Sequence, residues 1–159
     1  MHQRKKAPQA RREPSGAKEP RAKAVTDDQD LKSERKPFDW SLDEFADFGG
    51  KWDFTKKVFR DYWCTKIVCK FKNFETMTWA EIANATKGQG RGTKHHHVAV
   101  SDLSKAANKR LKKIKRNDLD QLYSLRLGGK IRIYGVLEGT VLKVLWYDPQ
   151  HEVCPSKPK

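Results

Sequence analysis

Between positions 102 and 114 the apolar residues are Leu103, Ala107, Leu111 and Ile114, at steps of four, four and three. That spacing predicts an amphipathic helix with one face turned inward. Its other face carries Lys105, Lys109, Arg110, Lys112, Lys113, Lys115 and Arg116, with no acid between Leu103 and Asn117. Bases near a helix C-terminus favour its dipole, but seven exceed that need. Just beyond, Asn117-Asp118 is expected to cap one more short helix running through Leu122 and Tyr123.

A period of two governs other stretches. In CTKIVCKF (64–71), Thr65, Ile67, Cys69 and Phe71 fall on one side and Lys66, Val68 and Lys70 on the other, the pattern of a half-buried strand. HHHVAV (95–100) predicts a second short strand. Between them, Thr78-Trp79-Ala80-Glu81 matches a capping box, in which threonine and glutamate satisfy each other's free amides; the helix it opens should end near Ala85, before the Gly-rich loop KGQGRGTK.

Residues 128–155 read GGKIRIYGVLEGTVLKVLWYDPQHEVCP. Arg132 and Tyr134 alternate with Ile131 and Ile133, Glu138-Gly139 supplies a tight turn, and Asp148-Pro149 stops the second run. VLKVLWY is apolar on both sides, as a central strand requires. The order of elements predicts an α+β domain: a small, mostly antiparallel sheet packed against a helix pair.

Upstream the pattern fails. Residues 1–37 hold Pro, Gly, Lys, Arg, Glu and Gln with hardly an aliphatic side chain, so they bury too little to offset chain entropy. We expect a disordered basic tail, dispensable for folding. Residues 38–63 then crowd rings between acids and bases; Ser41-Leu42-Asp43-Glu44-Phe45 reads as a capped short helix broken by Gly49-Gly50. This aromatic-rich arm either lies across the domain or docks a partner. The domain proper is expected over 64–155.

Charge adds a partner class. Lys and Arg number 34 against 20 Asp and Glu, a net charge of +14. Such a balance concentrates polyanions, of which nucleic acid is the commonest in a cell. The apolar runs fall short of a membrane span, and the basic N-terminus lacks the apolar stretch of a secretory signal. Cys64, Cys69 and Cys154 form neither a CxxC pair nor an even disulfide set, which points to reduced thiols and a cytoplasmic location. No Walker loop, dinucleotide fingerprint, nucleophile elbow or EF-hand loop occurs. His95, His96 and His97 suggest metal, but a zinc site needs further ligands at tetrahedral distances, and we expect no metal and no cofactor.

With the hairpin in place, residues 119–153 resemble the RelE/ParE superfamily of toxins from bacterial toxin–antitoxin systems. The resemblance rests on Leu-Tyr-Ser-Leu-Arg-Leu, the Gly pair, Arg132-Ile133-Tyr134, the hairpin, and a last strand closing on His151-Glu152-Val153. By motif it covers about a quarter of the chain. It implies a RelE/ParE-like fold and, in the ribonuclease branch, a basic sheet face that holds messenger RNA at the ribosome while a 2′-hydroxyl attacks the adjacent phosphate. On matching positions, Arg132 would stabilise charge on the phosphate and His151 would transfer a proton. Arg126 and Lys130 would position the backbone, and Trp146 or Tyr147 would stack on a base. Lys105, Lys109, Lys112 and Lys113 would meet further RNA phosphate. The implied partners are RNA or the ribosome and an acidic antitoxin.

The chain departs from the nuclease pattern in two places. The family's C-terminal tyrosine falls at Cys154, and the usual arginine at the last strand's exit is missing around Asp148-Pro149-Gln150. A second class therefore stays open: a non-catalytic basic binder, either a ParE-like gyrase inhibitor or a nucleic-acid accessory protein. Thr78-Trp79-x-Glu81-Ile82, followed by a Gly-rich loop and histidines, also looks like HicA-type interferases, in which the histidine after the loop is catalytic. That echo would move the catalytic role to His95, His96 or His97.

Overall fold

The computed structural model of the chain describes residues 27–42, 47–53, 56, 67–87 and 92–156. The elements there are α1 (Asp28–Leu31), β1 (Asp39–Ser41), α2 (Val68–Glu75), α3 (Trp79–Asn84), β2 (His96–Ala99), α4 (Lys105–Lys113), β3 (Gln121–Gly128), β4 (Ile131–Glu138) and β5 (Val141–Asp148). The strands form one five-stranded sheet in the order β1-β5-β4-β3-β2. Only β1 runs parallel to its neighbour, pairing Asp39 with Val141 and Ser41 with Lys143; the other pairs are antiparallel. Mixed α+β content and a mostly antiparallel sheet are what the patterning predicts.

Alternation along each strand gives the sheet two apolar faces. Tyr123, Leu125, Leu127, Ile133, Leu142 and Val144 pack with Phe71 of α2 and with Trp79 and Ile82 of α3. On the opposite face Leu122, Tyr134, Val136, Leu145 and Trp146 pack with Ala107 and Leu111 of α4. Each fully buried Leu, Ile or Phe contributes about 1.5–3 kcal/mol relative to exposure. The capping box forms as its residues dictate: Thr78 Oγ1 accepts from the Glu81 amide, and Glu81 accepts in return from the Thr78 amide.

The double-sided apolar character of VLKVLWY has a specific cause. Tyr134 pairs with Trp146 but Gly135 pairs with Val144, so Leu145 is an extra residue that puts Leu145 and Trp146 together on the α4 side. Gly135 is required at this bulge, because a Cβ there would collide with the Lys143 carbonyl. The hairpin closes through Gly139 at φ 59°, a left-handed conformation that glycine adopts without a Cβ clash.

Three expectations change. The run 64–71 is not a strand where it is described: Val68–Glu75 is helical, with Ile67 and Phe71 buried and Phe74 packed on the same core. Those three follow the i, i+4, i+7 rule, and a short run satisfies both periods until its continuation is counted; 64–66 lie outside the described residues. The short helix through Leu122 and Tyr123 is instead the start of β3, with these neighbours buried on opposite faces. The tail expected over 1–37 is ordered from Asp27, whose carboxylate accepts from the Gln29 and Asp30 amides to cap α1. Leu31 is fully buried, so deleting 1–37 would strip a core side chain; 1–26 lie outside the described residues.

The arm, finally, belongs to the sheet. Beyond β1, the Asp47 amide donates to the Leu145 carbonyl and the Tyr147 amide to the Trp52 carbonyl, which continues the cover along the outer edge of β5. The short helix expected at 41–45 falls largely outside the described residues, and Ser41 itself ends β1.

Candidate functional site

Helix α4 is nine residues long and covers only part of its sheet face. Past Tyr134 the same face carries Ser124 and Arg126 from β3 and Arg132 from β4, and these line an open cleft of about 470 Å³. His96 of β2, Lys87 and Lys94 beside the Gly-rich loop, and His151 after β5 complete its walls. The period of two decides the histidine run: His96, opposite Ser124, reaches the cleft face, while the rings of His95 and His97 contact the rings of Phe74 and Tyr123 on the other.

Arg126 and Arg132 are direct cross-strand partners. Like charges so placed repel, and among the described residues neither forms an ion pair with an acid. Arg132 spends Nη1 on the Gly129 and Ile131 carbonyls, at 2.9 and 3.0 Å. Burial, with the Arg126 charge, lowers its pKa below the ordinary guanidinium value. An anion set between the two guanidiniums would relieve this repulsion.

His151 is placed by the loop that follows β5. Asp148 is fully buried, and its carboxylate accepts from the Gln150, Glu152 and Val153 amides at 3.3, 3.0 and 2.8 Å. The Val153 carbonyl accepts in turn from the Ser104 amide at the start of α4. Wrapping around Asp148 holds His151 at φ 62°, a left-handed conformation costing on the order of 1–3 kcal/mol for a non-glycine residue. Burial and the Arg132 charge lower the His151 pKa, against a smaller upward pull from Asp148. Burial and Lys87 lower that of His96. Tyr134, deeper in the cleft, hydrogen-bonds Ser124 and is pushed up to about 12 by burial, so it remains a phenol.

Of the expected site residues, Arg126, Arg132 and His151 share the cleft. Lys130 is exposed in the β3–β4 turn and lines no part of it. Trp146 is fully buried rather than a stacking platform: its ring lies 5.1 Å from that of Trp52, and Nε1 donates to Asp47 at 2.8 Å. Tyr147 is likewise buried, in the core against α2 and α3. Lys105, Lys109, Lys112 and Lys113 are exposed on the outer side of α4, away from the cleft lining. Ser124 was missed; reading β3 as a strand would have put Ser124 on one face with Arg126. Among the described residues, no three His, Cys, Asp or Glu side chains are grouped to hold a metal ion, and no helix is long and apolar enough to cross a membrane.

No family model, no curated protein and no solved structure matches this chain.

Proposed function

We propose that the chain is a metal-independent endoribonuclease of the RelE/ParE toxin type, cytoplasmic, held in check by an acidic antitoxin and acting on RNA alone or at the ribosome. The observation that carries this reading is a cross-strand pair of guanidiniums, neither in an ion pair among the described residues, flanked by two histidines with lowered pKa values in one open cleft. Arg126 and Arg132 bind the scissile phosphate and stabilise the charge it gains as the 2′-oxygen attacks. One histidine of the His96–His151 pair removes the 2′-hydroxyl proton and the other protonates the leaving 5′-oxygen. The P–O5′ bond breaks, leaving a 2′,3′-cyclic phosphate and a 5′-hydroxyl. The RelE-like and HicA-like readings of the sequence name different histidines, and one cleft accommodates both.

Purified protein incubated with RNA, followed by mapping of the new 5′-hydroxyl ends, tests the proposal. His151→Gln should slow cleavage by roughly 10²–10⁴-fold while binding changes little, because a proton-transfer group acts in the transition state. Arg132→Ala should lose both cleavage and growth inhibition on induction in a bacterium. If the folded wild type neither cleaves RNA nor inhibits growth, the toxin reading is wrong; growth inhibition without new RNA ends would select the gyrase-inhibitor class.

A further inference from the structure

A second groove, of about 460 Å³, lies around the rim of the sheet from the cleft. Its walls include Lys70, Asn73 and Phe74 of α2, which packs on the opposite sheet face. Lys87, Lys94 and Arg126 line both this groove and the cleft. The two lysines are fixed where the Gly-rich loop begins and ends: Thr86 bridges Thr93, the Lys87 amide donates to the Gly92 carbonyl, and the Lys94 amide donates to the Ala85 carbonyl. No acid lines the second groove among the described residues. The groove also holds His95, whose Nδ1 accepts from the Arg126 amide at 3.1 Å. Burial lowers its pKa to about 4, so at neutral pH its one proton sits on Nε2, a donor of fixed tautomer.

We infer that this groove is a second binding site for the same ligand, and that the ligand is a single-stranded RNA whose backbone crosses the Lys87–Lys94–Arg126 ridge from one sheet face to the other. The inference rests on the reading of the cleft as an RNA site. It adds that the flanking nucleotides, and not only the scissile one, are bound, and that the RNA is unpaired. A strand leaving the cleft meets three cations on the ridge and then Lys70 and Asn73, with the apolar ring of Phe74 on the groove wall. A duplex is excluded by shape: it is stiff over many base pairs and cannot fold round the rim of one sheet, whereas a single strand bends at each nucleotide.

The test uses fluorescent oligoribonucleotides made uncleavable by 2′-O-methyl groups, four and twelve nucleotides long, and a twelve-base-pair duplex. They are titrated against the full chain and against the Lys70→Gln, Asn73→Ala double variant, whose altered side chains lie outside the cleft. The twelve-mer should bind the variant roughly five- to tenfold more weakly, with its salt slope reduced by about 0.7 for the one phosphate no longer neutralised, while four-mer affinity is unchanged. The duplex should bind the wild type more weakly than the single strand. Equal twelve-mer affinity and slope in variant and wild type would overturn the second site while leaving the cleft reading intact; equal duplex and single-strand affinity would overturn the single-strand path. If the wild type binds neither oligonucleotide, the RNA reading of the cleft falls and takes this inference with it.

Discussion

One face of the sheet contains two regions built on opposite principles. Under α4, a buried carboxylate is fully used: Asp47 accepts from Arg110 Nε at 2.8 Å and Nη2 at 2.5 Å, and from Trp146 Nε1 at 2.8 Å. This ties the arm, α4 and β5 together around an apolar core. A few residues along the same sheet face, two guanidiniums stand side by side, neither in an ion pair with an acid among the described residues, over a loop bent into a left-handed conformation. The first region has satisfied its charges internally and contributes stability. The second leaves its guanidiniums without an ion pair among the described residues, the arrangement that the proposed RNA site uses.

Cutting the closed region should have the largest effect. Asp47→Ala leaves the Arg110 charge only the Phe48 carbonyl at 3.4 Å and the Trp146 indole proton no acceptor, and breaking such a pair costs about 3–5 kcal/mol. Urea unfolding reads this as a lower midpoint. Arg132→Ala, in the open region, should stay within about 0.5 kcal/mol of wild type, since it relieves the repulsion with Arg126 and leaves the buried Asp148 carboxylate its three amide donors. A comparable drop in stability at both sites would erase the distinction.

Next comes a pH effect beneath the open region. His95 titrates near 4 in the folded chain and near 6.5 when unfolded, so between those values the unfolded state binds more protons. Stability is then full above about pH 6.5 and falls as pH drops towards 4, by on the order of 3 kcal/mol from this group. Urea midpoints measured between pH 7 and 4 should show the fall, and His95→Gln should flatten it. The boundary between the regions lies at the bulge. Gly135→Ala drives a methyl into the Lys143 carbonyl and should cost about 1–3 kcal/mol, read as a lower Tm.

The smallest effect is expected outside both regions. Changing Lys105, Lys109, Lys112 and Lys113 together to glutamine should leave Tm nearly unchanged, because all four are exposed. If the α4 face meets phosphate, the salt slope of RNA binding should fall by about 0.7 for each phosphate no longer neutralised. An unchanged slope would confine RNA to the cleft and its rim.

Local rules are legible in the sequence wherever the physics is local. The capping box at Thr78 and Glu81 needs only two residues and their own amides. The amphipathic period of α4 reports which side must be buried, and the Gly139 turn reports a positive φ. Alternation in Ile131-Arg132-Ile133-Tyr134 put Arg132 on a face away from Ile133, and the same rule separated His96 from His95 and His97. Tertiary packing decided the rest. Whether 67–71 continued as strand or helix depended on Phe74 reaching the same core as Phe71, and Leu122-Tyr123 became strand because β2 and β4 were there to pair with it. Trp146 looked like a platform because an indole suits both a base and a core; Asp47, 99 residues away along the chain, settled it by accepting the indole proton in the interior. The cleft itself had no local signal, because Arg126, Arg132, His96 and His151 come from four separate segments, and periodicity gives the face of each without saying which faces will meet.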